Sequence, residues 1–419
     1  MSNWETVKLG KLAEFKNGLN FSRESWGKGL KIIGVSDFKD RLFPKFDTLE
    51  EINPKGVVRE VDHLKKNDIV FVRSNGNRQL IGRCLWLKEL IEPVSHSGFT
   101  IRLRFKTDLV KVPFYVYLFR SEFIRCVLSD FGGGTNINNL NQGILSNLNV
   151  PKPPILVQEK IAAILLAYDE LIENNQRRIA LLEKMAEEIY REWFVRLRFP
   201  GHEKVKKVKG VPEGWQRTKV VTLTSYLKRG VAPQYDDLAE GFAINQKCIR
   251  DGKLDLSFAR HQSRDVSADR QIRFGDVLVN STGEGTLGRV AQVLTQLSNC
   301  IVDSHVTIVR PKHDVPIHYF GMTLKAWEVH FSTMGRGATN QTELSPTVIG
   351  NIEVTMPSKP LQDVFESHAE PLFAQITYLT AQNERLTRMR DLLLPRLISG
   401  KLAVEQLDIQ FPPGMEDRP

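Results

Sequence analysis

Residues 160–193 read KIAAILLAYDELIENNQRRIALLEKMAEEIYREW, and this stretch decides the fold. Its apolar side chains recur at alternating steps of four and three, which average the 3.5-residue period of one helix packed along another. Neither glycine nor proline interrupts it, and about 40 helical residues make a rod of roughly 60 Å. The pattern predicts a long helix whose pairing face consists of Ile161, Leu165, Tyr168, Ile172, Asn175, Ile179, Leu182 and Ile189.

A second stretch near the C-terminus has the same spacing. Either each helix covers its own domain, or the two pair with each other, and the shared register favours pairing. Antiparallel pairing would place Asn175 opposite Asn383, where two amides can satisfy each other in an apolar seam. Pro371 has no counterpart in the first helix and is expected to kink or restart the second. The predicted pairing face of the second helix consists of Phe365, Leu372, Ile376, Leu379, Asn383, Leu386 and Leu393.

Composition narrows the class of protein. The chain has 419 residues, enough for two to four domains, and its mean hydropathy of −0.26 is typical of a soluble protein. Residues 1–18 lack the apolar core of a signal peptide, and no apolar run is long enough to span a membrane. Four scattered cysteines without a C-x-x-C motif argue against structural zinc and disulfides and indicate a cytoplasmic protein. A net charge of +9 favours a polyanionic partner such as nucleic acid.

The two halves of the chain carry an internal repeat. Residues 67–76 (NDIVFVRSNG) match residues 275–283 (GDVLVNSTG), and both predict a turn, a strand and a polar loop. Further matched pairs are Gly82-Arg83 with Gly288-Arg289, Thr100-Ile101 with Thr307-Ile308, and Gln158 with Gln362. The repeat predicts an α+β protein in which two α/β domains of one fold are joined by two long helices. An antiparallel coiled coil of those helices would make the molecule pseudo-twofold symmetric.

The expected boundaries follow from this organisation. The basic linker is either solvated or in contact with phosphates. The segments are domain 1 over 1–155, a spacer helix over 156–198, the basic linker over 199–213, domain 2 over 214–359, a second spacer helix over 360–403 and a tail over 404–419.

A search for catalytic motifs finds none. The sequence has no P-loop, no compact metal-ligand cluster and no N/D-P-P-Y/F loop of the kind that holds a flipped adenine. Gly283 to Gly288 formally matches G-x-G-x-x-G, but residues 289–294 look like a strand, so a glycine-rich hairpin loop is the better interpretation. His96, His305 and His318 could be buried, hydrogen-bonded side chains. We therefore expect no catalytic residue and no metal site on this chain.

Several motifs together resemble one family. Residues 132–136 (GGGTN) precede residues 148–161 (LNVPKPPILVQEKI), the first long helix ends in EIYREWF (188–194), and the second ends in LLLPRLISGKL (392–402). With the repeat and the two helices, nearly the whole chain resembles the specificity subunit of type I restriction-modification systems.

The resemblance implies a DNA-binding protein with two target-recognition domains. Each domain would read one half of a bipartite, asymmetric site on double-stranded DNA. The paired helices would set the spacer and dock two modification subunits, which carry S-adenosylmethionine and methylate adenine N6. Restriction subunits that use ATP and Mg would complete the assembly, and the specificity subunit would perform no chemistry itself.

Three alternatives remain. The chain could serve a type IIB-like or methylation-only complex, act as a helical scaffold without a DNA role, or be an autonomous enzyme. Positive charge and polar loop tips argue against the scaffold, and the empty motif search argues against the enzyme.

Base readout requires hydrogen-bonding side chains at loop tips. The loops at Thr135-Asn136 and Thr339-Asn340 would either hold phosphates or cap a helix. The remaining DNA-binding candidates are Arg73, Ser74, Asn75, Asn77, Arg78 and Arg83 in the first domain, and Asn280, Ser281, Thr282, Glu284, Thr286 and Arg289 in the second.

Overall fold

The computed structural model of the chain describes residues 4–38, 41–130, 139–208, 210–335 and 343–411, apart from the side chains of residues 23, 78, 129 and 130. The chain divides into two compact units. The first unit contains residues 1–174 and 383–419, and the second contains residues 175–382. Each of the two long helices contributes one segment to each unit.

The first half of the chain begins with short strands and ends in a long helix. Its elements are β1 (Glu5–Lys8), α1 (Leu9–Leu12), β2 (Ala13–Asn17), β3 (Trp26–Ile33), β4 (Glu50–Ile52), β5 (Ile69–Val72), β6 (Cys84–Trp86), β7 (Val94–His96), β8 (Thr100–Phe105), α2 (Val112–Arg120), α3 (Glu122–Asp130), α4 (Gln142–Asn147), β9 (Asn149–Lys152) and α5 (Ile155–Tyr190).

Two sheets form the framework of the first unit. The four-stranded sheet has the order β2-β8-β5-β6 with antiparallel neighbours, and the three-stranded sheet has the order β4-β3-β7. Strand β1 pairs with β9, which joins the start of the unit to the segment before α5. All four residues of β5 are fully buried, which explains their unbroken apolar run.

The second half repeats this sequence of elements after a short hairpin in the predicted basic linker. Its elements are β10 (Lys207–Val208), β11 (Val211–Pro212), β12 (Gln216–Lys219), α6 (Val220–Leu223), β13 (Thr224–Arg229), β14 (Gly241–Ile244), β15 (Ile249–Arg250), β16 (Lys253–Leu254), β17 (Arg260–Gln262), β18 (Val277–Asn280), β19 (Val290–Gln292), β20 (Cys300–Val302), β21 (Val306–Pro311), α7 (Ile317–Ala326), α8 (Glu328–Thr333), α9 (Pro346–Gly350), β22 (Glu353–Met356) and α10 (Lys359–Ile398).

The strand order of the second unit matches that of the first. The four-stranded sheet is β13-β21-β18-β19, the three-stranded sheet is β17-β14-β20, and β12 pairs with β22 as β1 pairs with β9. The predicted repeat, with two β-rich domains of one fold, is therefore confirmed. Among the described helices, none has the length and apolar character required to cross a membrane.

The strand pairing shifts one predicted match by one residue. Thr100 pairs with Val72 and Val306 pairs with Asn280, at the ends of the equivalent strands β5 and β18. Thr100 therefore corresponds to Val306 rather than to Thr307. The two threonines match in residue type, but equivalence depends on the hydrogen-bonded register of the strands, which the sequence does not show.

Within the first unit, the start of α5 packs against the end of α10. Asp169 of α5 forms an ion pair with Arg390 of α10, and the Asn383 side-chain amide donates to the Ile172 carbonyl at 3.4 Å. Residue numbers rise along one helix while they fall along the other. The two segments are therefore antiparallel.

Within the second unit, the end of α5 packs in the same way against the start of α10. The Asn175 amide donates to Gln382 Oε1 at 3.0 Å, and the ring centroids of Tyr190 and Phe365 lie 6.3 Å apart. Every residue predicted for the two pairing faces is buried or half-buried. The antiparallel pairing is thus confirmed, while the direct contact of Asn175 with Asn383 stays a prediction.

Of the two effects predicted for Pro371, a kink or a restart of the second helix, the restart is wrong. Helix α10 runs without a break from Lys359 to Ile398, and Pro371 is on its exposed face. Ala369 and Phe365, on the opposite face, are almost completely buried. Packing of that face outweighs the single backbone hydrogen bond that proline removes.

A buried ion pair occupies the same place in both units. Asp68, which precedes β5, accepts two hydrogen bonds of 2.6 Å from Arg104, and Asp276, which precedes β18, accepts bonds of 2.7 and 2.8 Å from Arg310. Each carboxylate also accepts the backbone amide three residues upstream and is fully buried. The hydrogen bond to Asp68 raises the pKa of Arg104 above its ordinary value. The pair therefore ties the turn before each central strand to the neighbouring strand.

Replacing Asp276 by Asn should destabilise the protein by about 3–5 kcal/mol, because it leaves the buried Arg310 guanidinium without a counter-charge. Urea unfolding followed by circular dichroism measures this. The matched control is Glu343→Gln, which breaks the more exposed pair with Arg229 and should cost less than about 1 kcal/mol. Equal losses in the two variants would contradict the structural role of the Asp276 pair.

Candidate nucleic-acid interface

The first candidate loop, residues 73–83, connects β5 to β6 and is called here the first loop. The Arg73 amide donates to the Phe99 carbonyl at 2.8 Å, and the Arg73 carbonyl accepts the Leu140 amide at 2.9 Å. The half-buried Arg73 guanidinium donates to the Gly98 carbonyl at 3.3 Å. These contacts fix the point at which the loop leaves the sheet.

Asparagine side chains shape the rest of the first loop. Asn75 Oδ1 accepts the Asn77 amide at 2.7 Å, and Asn77 Oδ1 accepts the Gln79 amide at 3.0 Å. In each turn, an asparagine side chain accepts the backbone amide two residues later. The two successive turns hold the backbone of the loop locally. Asn77 is exposed, whereas Ser74 and Asn75 are half-buried. Their side chains therefore combine support of the loop with partial access to solvent.

Arg83 closes the first loop. Its Nε donates to the Gln79 carbonyl at 3.4 Å, and Arg125 of α3 donates to the same oxygen at 2.5 Å. Arg83 is half-buried. The first loop therefore has an arginine at its end as well as at its beginning.

The second candidate loop, residues 281–289, connects β18 to β19 and is called here the second loop. Asn280, at the end of β18, and Ser281 are both completely buried. The Asn280 amide donates to the carbonyls of Gln246 and Thr286 at 3.1 Å each, and the Ser281 hydroxyl bonds to that of Thr307 at 2.5 Å. The structure thus gives both predicted candidates a role in holding the loop, because neither side chain reaches solvent.

Gln246 is a further residue that positions the second loop. Its amide donates to Thr282 Oγ1 at 2.9 Å, and its Oε1 accepts from Thr286 Oγ1 at 3.3 Å. Gly283 has φ +105°, and a Cβ there would lie 2.3 Å from both Gln246 Oε1 and Thr286 Oγ1. Glycine is required at this position by both the backbone conformation and the close approach.

The accessible part of the second loop follows these anchors. Glu284 is exposed, Thr282 and Thr286 are half-buried, and Arg289 is half-buried with its guanidinium donating to the Gly285 carbonyl at 2.9 Å. Strands β18 and β19 form an antiparallel hairpin around the loop. The interpretation of Gly283 to Gly288 as a hairpin loop is therefore confirmed.

A turn lies beside each loop at an equivalent position. In the first unit, Phe99 accepts the Arg73 amide through its carbonyl, and in the second unit His305 accepts the Ser281 amide in the same way, both at 2.8 Å. The His305 ring also bonds to Thr282 Oγ1 at 2.8 Å. Both Phe99 and His305 have exposed side chains. Each candidate interface therefore consists of a loop and the turn next to it.

Buried ionisable groups support these turns. Burial raises the pKa of Asp303, and its Oδ1 accepts the His305 amide at 2.9 Å. Burial lowers the pKa of His96 to about 3, which keeps this imidazole neutral while it bonds to the Thr100 hydroxyl at 2.9 Å. His96 and His318 are buried as expected, whereas His305 is exposed.

Thr135, Asn136, Thr339 and Asn340 lie outside the described residues, as does the side chain of Arg78. Gln246, Phe99 and His305 were not among the predicted site residues. Phe99 carried no signal in a search for polar readers, and Gln246 is distant from its loop in sequence. His305 could have been found because it lies two residues before Thr307, next to a matched segment of the repeat.

The two interfaces present hydrogen-bond donors and acceptors on fixed loops, with positive charge in each. Such groups suit recognition of phosphates and base edges. Across the described ranges, no three His, Cys, Asp or Glu side chains are grouped closely enough to hold a metal ion.

Comparison with known proteins identifies the family. Residues 1–184 match the family model described as type I restriction modification DNA specificity domain. The MjaIX specificity subunit of Methanocaldococcus jannaschii, a type I restriction enzyme subunit, is 26% identical over 97% of this chain and 95% of its own length. The EcoKI specificity subunit of Escherichia coli is also 26% identical, over 39% of this chain and 33% of that protein.

A solved structure has the same fold. The S subunit of a type I restriction-modification system from M. genitalium superposes with a TM-score of 0.61 at 16% sequence identity, covering 94% of this chain and 96% of that one. Sequence and fold thus agree over nearly the full length of the chain. This protein belongs to the DNA specificity subunits of type I restriction-modification systems.

Proposed function

We propose that each unit reads one half of a bipartite, asymmetric site on double-stranded DNA. In the proposed assignment, residues 1–155 and 214–359 are the two target-recognition domains. The observation that carries this proposal is that one framework supports both loops, whereas the accessible loop side chains differ. Arg73, Ser74 and Asn75 follow β5, while Thr282, Glu284 and Thr286 are the accessible side chains of the equivalent loop after β18. Recognition of an asymmetric site requires different base-contacting side chains in the two units, and two equivalent frameworks can carry them.

The remaining segments set the spacing and the partners. Residues 156–198 and 360–403 act as spacer helices that dock two modification subunits, 199–213 is a basic linker and 404–419 is a tail. The modification subunits supply S-adenosylmethionine and adenine N6 methylation, and restriction subunits supply ATP- and Mg-dependent cleavage. The complex acts in the cytoplasm. The second candidate function, in a type IIB-like or methylation-only complex, differs only in which subunits join.

Removal of the Arg73 charge tests the loop assignment. Arg73→Ala in the assembled complex should weaken DNA binding and reduce the slope of log K against log salt by about 1, because one phosphate contact is lost. Fluorescence anisotropy at several salt concentrations measures the slope. Lys11→Ala is the charge-matched control, because Lys11 is exposed on α1 of the same unit. An unchanged slope and affinity for Arg73→Ala would remove Arg73 from the interface.

Gln246→Ala tests the support of the second loop. Because Thr282 and Thr286 lose a common partner, binding to the cognate duplex should weaken by about threefold to tenfold, with the salt slope unchanged. The control is Gln296→Ala, an exposed glutamine that follows β19, whereas the second loop precedes that strand. Equal affinities of Gln246→Ala and the control variant would show that the loop is held without Gln246.

An insertion in the helices tests the spacer. Four residues added to both α5 and α10, next to Asn175 and Gln382, lengthen each helix by about 6 Å. Sequencing of methylated adenines in cells that carry the complex should then reveal the same two half-sites separated by one to two additional base pairs. Replacement of four residues at the same positions, without insertion, controls for sequence changes. A spacer that stays constant after the insertion would refute the role of the helices as a ruler.

A further inference from the structure

The turn at residues 97–100 presents an exposed aromatic ring beside the first loop. The Phe99 side chain is 63% exposed, although its backbone is held firmly. Its carbonyl accepts the amides of Arg73 and Ser74 at 2.8 and 3.3 Å, and the next residue closes the turn, with the Thr100 amide donating to the Ser97 carbonyl at 2.9 Å. The position of the ring is therefore set by main-chain bonds that any side chain at residue 99 would allow.

Packing of the turn also restricts its movement. The Gly98 amide donates to the Leu19 carbonyl at 2.6 Å, and a Cβ on Gly98 would lie 2.0 Å from Asn20 Oδ1. The turn is thus pressed against the segment that follows β2, and the Phe99 ring is left in solvent. An exposed ring adds little to folding, because the hydrophobic contribution of a side chain comes from its burial.

The equivalent position in the second unit supports a role in recognition. His305 is also exposed, and its ring is bonded to Thr282 of the second loop. Both units therefore present a ring at the same point beside the loop that leaves the central strand. In the first unit the ring cannot donate or accept a hydrogen bond. Its contribution to recognition would therefore come from contact with an apolar group rather than from hydrogen bonding.

We propose that Phe99 contacts the C5-methyl group of a thymine in the half-site read by the first unit. This methyl group is the apolar feature that a base pair displays in the major groove, where it distinguishes thymine from cytosine. The Arg73 guanidinium donates to the carbonyl of Gly98, the residue before Phe99, and in this proposal it provides a neighbouring phosphate or base contact. The inference rests on the proposal that the first loop reads DNA.

The test uses the complete complex with its modification subunits and a synthetic duplex that carries the methylated motif found by sequencing. Each thymine of the half-site is replaced in turn by deoxyuridine, which removes only the methyl group. At one position, this replacement should weaken wild-type binding by about fourfold. Phe99→Ala should weaken binding to the thymine duplex by a similar or larger factor, and should bind the thymine and deoxyuridine duplexes equally.

Two further protein variants serve as controls for these binding measurements. Phe99→Leu retains an apolar side chain and should keep both most of the affinity and the preference for thymine. Ile91→Ala, at an exposed apolar position that precedes β7 whereas Phe99 follows it, should bind like the wild type. Thermal unfolding of Phe99→Ala should equal that of the wild type, because the ring is exposed.

The outcomes separate the two proposals. If wild-type complex selects the motif but no deoxyuridine position couples to Phe99, the methyl contact is excluded while the reading function of the first unit stands. Loss of affinity in Phe99→Leu as large as in Phe99→Ala, without coupling to the methyl group, would indicate stacking of the ring instead and would also overturn the proposal. If wild-type complex does not prefer the motif over a scrambled duplex, both proposals fail.

Discussion

The antiparallel contact between α5 and α10 is the constraint on which both units depend. In the first unit, Leu397 and Ile398 from the end of α10 belong to the same buried cluster as Ile161 and Leu165 from the start of α5. In the second unit, Phe365 from the start of α10 packs with residues at the end of α5. Neither core is complete without both helices. Since each helix follows a different half of the sequence, both halves must be synthesised before either core can close.

This dependence explains why the fold was legible from the sequence. A pairing face requires apolar side chains at a regular spacing along its length. The same period therefore appears in two stretches of the sequence, from Ile161 to Ile189 and from Phe365 to Leu393. The strand before each candidate loop was also predicted, because a buried strand has an uninterrupted apolar run such as residues 69–72. The continuity of α10 through Pro371 was less accessible, because it depends on packing of the opposite face rather than on local preference.

The candidate site was predicted less completely, for a physical reason. Residue type shows whether a side chain can bond to DNA, but exposure depends on tertiary contacts. Asn280 and Ser281 have suitable chemistry, yet the Asn280 side-chain amide donates to carbonyls and the Ser281 hydroxyl bonds to a hydroxyl within the unit. Gln246 reaches the second loop from the segment just after β14, and nothing in its local sequence indicates that contact. The register shift between Thr100 and Val306 has the same origin, since pairing is a property of two strands.

The main-chain anchoring of the turns beside the two loops has an evolutionary consequence. Phe99 and His305 are each held in place by a backbone carbonyl that accepts a hydrogen bond from a backbone amide of the adjacent loop. The backbone conformation of each turn therefore does not depend on which side chain stands at this position. A single codon change at either turn can alter the chemistry offered to a ligand with little cost to folding. Diversification of such proteins can thus proceed by small steps, each of which leaves a foldable descendant.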